Sequence, residues 1–185
     1  MTNALIHIFI RDAENTGDSR VREKFGVLSG AVGLACNLFL FALKLIIGLL
    51  TGSISIAADA FNNLSDAGSS FVTLLGFQLA GQKPDSDHPF GHGRIEYLSG
   101  LAVSLLILLM GVELAKSSVE KILHPEPVDS SGLVIVILCA SIAVKLYMFY
   151  YNRRLGRRLE SPAMEATAMD SLSDSVATAA VLIAT

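Results

Sequence analysis

The sequence is poor in the residues that disulfide-bonded and nucleic-acid-binding proteins depend on. It has no Trp and two Cys, and only 17% of its 185 residues are charged. Cys36 and Cys139 both lie within apolar stretches, which argues against a disulfide scaffold or a cysteine zinc site. The 14 basic residues are outnumbered by 17 acidic ones, so we do not expect a nucleic-acid partner. The first 24 residues are polar and include four acids, so we do not expect a cleaved signal peptide there.

Apolar residues dominate what is present. They make up 52% of the chain, and the mean hydropathy is +0.55, which excludes intrinsic disorder and indicates an integral membrane protein. Five segments are long and apolar enough to cross a bilayer, namely residues 27–50, 53–79, 97–123, 132–151 and 163–185. We therefore predict an all-α, polytopic membrane helical bundle. Residues 1–24 form an N-terminal segment, and residues 25–185 form the transmembrane domain.

The distribution of Lys and Arg predicts the orientation of the bundle. Basic residues precede the first predicted span and occupy the second and fourth loops: Arg20, Arg22, Lys24, Lys83, Arg94, Arg153, Arg154, Arg157 and Arg158. The Thr51-Gly52 turn has none, and the link 124–129 has only acids. The N-terminus and the second and fourth loops are thus predicted to be cytoplasmic, in a multi-pass protein of the cell membrane. Because the sequence stops within an apolar run, we expect it to be part of a longer chain.

Two polar pairs at membrane depth predict a cation site. Asn62 and Asp66 are four residues apart, as are Asp170 and Asp174, so each pair lies on one helix face. The second predicted helix runs inward and the fifth outward, so the pairs can meet at one depth. Three carboxylates and one amide oxygen form a hard ligand set that suits a divalent cation. The alternative is that these groups only join helices by hydrogen bonds, although that role does not require charge.

Other polar residues within the predicted spans have less specific interpretations. Asp59 lies on the same stripe as Asp66 and is a candidate accessory ligand, an entry-path carboxylate or a packing group. Lys44 and Lys145 lie within about two turns of predicted helix ends, so we expect both to snorkel towards the interface, with ion pairing to an acid of the site as the alternative. Asn37 is predicted to bond between helices, and Glu113 has no assignment.

The second loop contains a separate candidate metal site. Asp85, His88 and His92 lie within eight residues, and Pro89 and Gly91 favour a turn that brings them together. His and Asp groups of this kind bind zinc-like metals. Loop residues of these types are also common on solvated surfaces, and both interpretations stay open.

These motifs together resemble the cation diffusion facilitators, a family of divalent-metal/proton antiporters. The resemblance extends from about residue 21 to residue 185 and rests on GLLTGSISIAADA, the NNLSD box, the loop DSDHPFGHGRIEYLSG and the DSLSD box. It implies a bundle of six transmembrane helices, a cytoplasmic metal-binding C-terminal domain and a homodimer. The sixth helix and that domain have no counterpart in this sequence.

The resemblance also assigns ligands. It places the transport site at Asn62, Asp66, Asp170 and Asp174, and it matches Asp85, His88 and His92 to a second, cytoplasmic-loop metal site of some members. Zinc transporters of the family usually have His at one or both first positions of the two pairs, whereas this chain has Asn and Asp. Its pattern is similar to that of bacterial manganese exporters, and manganese accepts oxygen ligands.

We therefore predict proton-driven efflux of Mn²⁺, with the metal ion as the transported substrate and no cofactor. Efflux of Zn²⁺, Fe²⁺ or Co²⁺ by the same mechanism is an alternative. A non-transporting membrane scaffold or metal sensor is another. An enzyme is not expected, because the sequence has neither a nucleophile pair at a common depth nor a phosphate-binding glycine loop.

Overall fold

A computed structural model describes residue 10 and residues 18–123 and 132–184 of the chain. These residues form five helices: α1 (Ser19–Thr51), α2 (Ile54–Ala80), α3 (Ile95–Leu123), α4 (Gly132–Leu159) and α5 (Pro162–Ala184). No strand occurs among them. The all-α fold class is confirmed. The predicted link 124–129 and most of the predicted N-terminal segment lie outside the described residues.

Local sequence signals define the first hairpin. The Asp18 carboxylate accepts a hydrogen bond from the Arg20 amide at 2.8 Å and so caps the first turn of α1. Helix α1 ends at Thr51 and is capped by Gly52, whose φ of 68° is left-handed and favours glycine. Ser53 then precedes α2. The predicted tight turn at residues 51–52 is confirmed.

Three of the five helices contain stretches that are long and apolar enough to cross a membrane. These stretches are Arg20–Thr51 in α1, Ile95–Glu120 in α3 and Gly132–Leu159 in α4, counted over the described residues. Helices α2 and α5, which carry the polar boxes, are not among these three. The prediction that α2 and α5 also cross the bilayer therefore depends on shielding of their polar faces by the other helices.

The helices pack as two hairpins, and helix α3 contacts both of them. Helix α1 packs along α2, α4 packs along α5, and α3 contacts α2 and α5. One face of α3 is a row of exposed apolar side chains suited to lipid, including Leu98, Leu101, Leu105, Leu108 and Leu109. Interior polar contacts join the hairpins: the Ser29 hydroxyl donates to Asn152 Oδ1 at 2.6 Å, and the hydroxyls of Thr73 and Thr167 lie 3.5 Å apart.

The ends that were predicted to share one side of the membrane do lie together. The start of α1, the end of α2, the end of α4 and the start of α5 share one apolar cluster, which includes Phe25, Phe77, Leu155 and Met164. At the same end, the Arg22 guanidinium donates two hydrogen bonds, at 2.6 and 2.8 Å, to the carboxylate of Glu96 at the start of α3. The alternation of loops between two ends of the bundle thus agrees with the predicted topology.

One predicted boundary is wrong. The fourth span was placed at 132–151, with residues 152–162 as a basic loop, but α4 continues to Leu159. Its four arginines lie on the last two turns of the helix, and Arg157 and Arg158 are in the final turn, where positive charge is favourable. Hydropathy marks the end of the apolar stretch, but a helix continues beyond it wherever charged residues can reach water.

Candidate metal centre

Three carboxylates from two helices converge inside the bundle. Asp66 lies on α2, and Asp170 and Asp174 lie one turn apart on α5. One oxygen from each lies within 4.8 Å of the others. Hard divalent cations bind oxygen at about 2.0–2.6 Å, so atoms this close can share one ion. We call these three residues the carboxylate cluster.

Burial makes the carboxylate cluster costly unless it is compensated. Asp66 is 3% exposed and Asp170 8%, whereas the Asp174 side chain keeps 23% exposure. Within the described part of the chain, Asp66 Oδ1 has no hydrogen-bond partner. A buried, unpartnered carboxylate oxygen beside two further carboxylates is what a cation ligand set requires. The chemistry of the residues therefore fits a hard divalent ion.

A lysine also reaches into the carboxylate cluster, which is the alternative to snorkelling that the sequence left open for it. Lys145 of α4 is 4% exposed, and its Nζ lies 2.6 Å from Asp66 Oδ2 and 2.5 Å from Asp174 Oδ2. The prediction that Lys145 snorkels to the interface is wrong. The ammonium is instead held inside the bundle by two carboxylates within hydrogen-bond distance. The sequence signal for this pairing is that Lys145 is a single cation in an apolar segment, while three acids lie at membrane depth on other helices.

The second lysine is also paired. Lys44 Nζ lies 2.7 Å from Asp59 Oδ2, and the Lys44 side chain is 4% exposed, so the snorkelling prediction is wrong here as well. The turn at residues 51–52 folds α2 back along α1 and brings Asp59 opposite Lys44. Asp59 is thus an ion-pair partner outside the carboxylate cluster, and its accessory role in metal binding stays a prediction.

The two adjacent asparagines of the NNLSD box have different environments. Asn62, the predicted fourth ligand, is exposed, whereas Asn63 is 2% exposed. Asn63 Nδ2 donates to the Asp59 carbonyl at 3.0 Å, and among the described residues its Oδ1 has no partner. The role of Asn62 as a ligand stays a prediction. Asn37 donates to the Ser70 hydroxyl at 3.4 Å, which confirms the predicted contact between α1 and α2.

The loop residues Asp85, His88 and His92, which we call the loop triad, also converge. His88 Nδ1 lies 3.2 Å from Asp85 Oδ1, and His92 Nε2 lies 3.4 Å from Asp85 Oδ2. The left-handed φ of Gly91, 80°, turns the chain between the two histidines. One potential ligand atom from each residue lies within 4.8 Å of the others.

The electrostatics of the loop triad favour a metal ligand set. The Asp85 carboxylate accepts a hydrogen bond from the backbone amide of His88 at 2.6 Å, and this bond lowers the pKa of Asp85. The Asp85 carboxyl is therefore ionised at neutral pH. Unlike Asp85 and His88, His92 is buried, and within the described residues its Nδ1 has no partner. An imidazole with one nitrogen towards a carboxylate is a common arrangement in metal sites.

Comparisons with known proteins identify the family. Residues 31–185 match the cation efflux transmembrane domain. The chain is 32% identical over 147 residues to an uncharacterized transporter of Methanocaldococcus jannaschii, covering 80% of this chain and 52% of that protein. It is 32% identical over 151 residues to the manganese efflux system protein MneS of Bacillus subtilis, covering 82% and 52% respectively.

A magnetosome protein, MamM of Magnetospirillum gryphiswaldense, is 30% identical over 156 residues, which cover 83% of this chain and 49% of that protein. The chain spans about half the length of the curated relatives it matches. The family consists of transporters of metal cations and not of enzymes, and its proteins cross the membrane several times. With 155 of its 185 residues matching the transmembrane domain, the chain belongs to the cation efflux family.

Proposed function

We propose that this chain forms the transport unit of a proton-coupled Mn²⁺ exporter. The observation that carries the proposal is the carboxylate cluster, which places three oxygen ligands within 4.8 Å of one another inside the bundle. Because Asp170 replaces the imidazole nitrogen that favours zinc, the cluster suits manganese. The similarity to a manganese efflux protein, at 32% identity, supports the same ion. Efflux of Zn²⁺, Fe²⁺ or Co²⁺ by the same mechanism remains the alternative within this class.

The proton coupling follows from the chemistry of the ligands. Carboxylates bind metal only when they are deprotonated, so an incoming ion releases the protons that the cluster of Asp66, Asp170 and Asp174 holds. When the cluster opens to the more acidic outer side, protons return to the carboxylates and the ion leaves. Helices α2 and α5 carry the ligands, so a change in their packing alters access to the cluster and the separation of its oxygens.

The scaffold alternative has one observation in its favour, namely the pairing of Lys145 with Asp66 and Asp174. Charge counting argues against it. One ammonium offsets one of three carboxylates, so ionised groups would leave a formal charge of −2 within the bundle. A divalent cation or protons supply the missing compensation, and exchange between the two is transport chemistry.

Further parts of the proposal concern the whole protein. We propose that it lies in the cell membrane with its N-terminus in the cytoplasm, as the basic residues near α1 and at the end of α4 indicate. Residues 1–24 would be a cytoplasmic segment and residues 25–185 the transmembrane domain. The full-length protein would act as a homodimer, and the loop triad would bind a second metal ion on the cytoplasmic side.

Reconstitution into proteoliposomes tests the transport proposal. Under an imposed pH gradient, Mn²⁺ uptake should exceed Zn²⁺ uptake, and Asp66→Asn should lower Mn²⁺ uptake by at least about 100-fold, because a direct ligand loses its charge. The matched control is Glu113→Gln, which neutralises an exposed acid on α3 outside the carboxylate cluster. Rapid Zn²⁺ uptake without Mn²⁺ uptake would overturn the choice of ion, and normal transport by Asp66→Asn would overturn the site.

A further inference from the structure

Lys145 has a contact set unlike that of an ordinary structural ion pair. Its ammonium bridges two carboxylates from different helices, Asp66 of α2 and Asp174 of α5, at 2.6 and 2.5 Å. The comparable pair elsewhere, Lys44 with Asp59, joins one ammonium to one carboxylate that is 39% exposed. Water can stabilise Asp59 if Lys44 is removed, whereas Asp66 is 3% exposed and has little such support.

The two carboxylates that Lys145 contacts also belong to the carboxylate cluster. Asp66 and Asp174 are two of its three members. An ion that binds these carboxylates through the same oxygens must replace the ammonium contacts, because two cations cannot share them at bonding distance without strong repulsion. Of the buried oxygens in the carboxylate cluster, only Asp66 Oδ1 has no hydrogen-bond partner among the described residues.

We propose that Lys145 is a tethered cation that competes with the cargo ion for Asp66 and Asp174. The inference rests on the proposed function and adds a residue to it. The ammonium holds α2, α4 and α5 together when no metal is bound, and it withdraws from the two carboxylates when the ion enters. The competition weakens the intrinsic affinity of the cluster, which allows the ion to leave on the far side.

Equilibrium Mn²⁺ binding at fixed pH in lipid nanodiscs tests this competition. All proteins carry His88→Ala and His92→Ala, so that the loop triad does not contribute to the measured binding. Lys145→Met removes the competing charge, and its Mn²⁺ affinity should rise at least about tenfold. Lys44→Met is the matched control, since it removes another buried lysine that pairs away from the cluster, and its affinity should stay unchanged.

An unchanged affinity in Lys145→Met would overturn the competition. A weaker affinity would also overturn it, because Lys145 would then position the ligands. If Lys145→Met does not fold, Lys145→Gln is measured in the same way and interpreted by the same outcomes. If neither folds without metal, recovery of folded protein by Mn²⁺ supports the proposal, because the cargo then replaces the missing cation. A failure to fold even with Mn²⁺ overturns it.

Asp66→Ala separates this inference from the proposed function. If Asp66→Ala weakens Mn²⁺ binding while Lys145→Met does not strengthen it, the metal site stands and the competition is wrong. If Asp66→Ala leaves binding unchanged, the site itself is wrong and the competition is overturned with it.

Discussion

Asp66 connects most of the chemistry in this bundle at the scale of single residues. It accepts a hydrogen bond from the Lys145 ammonium, and one of its oxygens lies within 4.8 Å of oxygens of Asp170 and Asp174. Its Oδ1 is buried and has no partner in the described part of the chain. Its environment explains why a carboxylate is present at membrane depth at all, since a neutral side chain would join helices at lower cost.

Replacement of Asn62 by His tests the hardness of the ligand set. If Asn62 supplies the fourth ligand, Asn62→His should shift the ratio of transport rates from Mn²⁺ towards Zn²⁺, because imidazole nitrogen favours zinc more than manganese. Competition between the two ions in proteoliposomes measures that ratio.

The neighbouring Asn63→His serves as the control for that substitution. Asn63 is 2% exposed and is bonded to the Asp59 carbonyl, so a larger ring there should lower stability without a specific gain for zinc. A zinc shift in Asn63→His but not in Asn62→His would show that the buried asparagine, and not the exposed one, completes the site.

The loop triad makes a separate prediction about stoichiometry. His88→Ala with His92→Ala should remove one bound metal equivalent and leave the carboxylate cluster filled, because the two sites share no ligand. Titration of purified protein followed by metal analysis gives the count, and Asp87→Ala, an exposed loop acid outside the triad, is the control. An unchanged count would make the triad a solvated turn.

The sequence predicted the acids of the site, whereas for Lys145 it favoured snorkelling over the ion pair that the structure shows. Spacing of four residues put Asp170 and Asp174 on one helix face, and the structure brings Asp66 to them. The partner of Lys145 could not be found in this way, because it depends on how α4 packs between the other helices and on where α4 ends. Periodicity gives the face of a helix, whereas contacts between helices need the packed bundle.

At the scale of helices, close approach of α1 and α2 depends on glycine. A methyl group added at Gly30 would lie 2.8 Å from Leu74 Cα, so there is no room for a side chain at that position. Gly30→Ala should therefore lower the free energy of unfolding by about 1–3 kcal/mol, even though Ala favours the helix by about 1 kcal/mol.

Thermal denaturation in detergent, followed by the loss of monodisperse protein, checks the Gly30 prediction. Gly68→Ala on α2 is the matched control, since nothing lies within 4 Å of its added methyl group and only the helical preference changes. Equal behaviour of the two variants would contradict the close packing of α1 on α2.

The number of helices and the first tight turn were predictable, whereas helix ends were less so. Five apolar runs gave five helices, and the turn at residues 51–52 was correctly placed. The end of α4 was misplaced by eight residues, because its last two turns are basic and amphipathic and their hydropathy resembles that of a loop.

At the scale of the whole molecule, metal should act as a clamp. The carboxylate cluster joins α2 to α5, so Mn²⁺ at about 100 times its dissociation constant should stabilise the fold by about 2.7 kcal/mol. A chelator should reverse the effect. In Asp66→Ala with intact loop residues, the stabilisation that Mn²⁺ provides through the carboxylate cluster should be lost. Full stabilisation of that variant by Mn²⁺ would place the stabilising ion elsewhere.

Anomalous diffraction at the manganese edge, on crystals grown with Mn²⁺, tests most directly whether the carboxylate cluster binds the transported ion. We predict a peak within bonding distance of Asp66, Asp170 and Asp174, with the Lys145 ammonium displaced from the two oxygens it contacts. A second peak at the loop triad would agree with the proposed loop site. A fully occupied loop triad with no peak at the three carboxylates would contradict the proposed transport site.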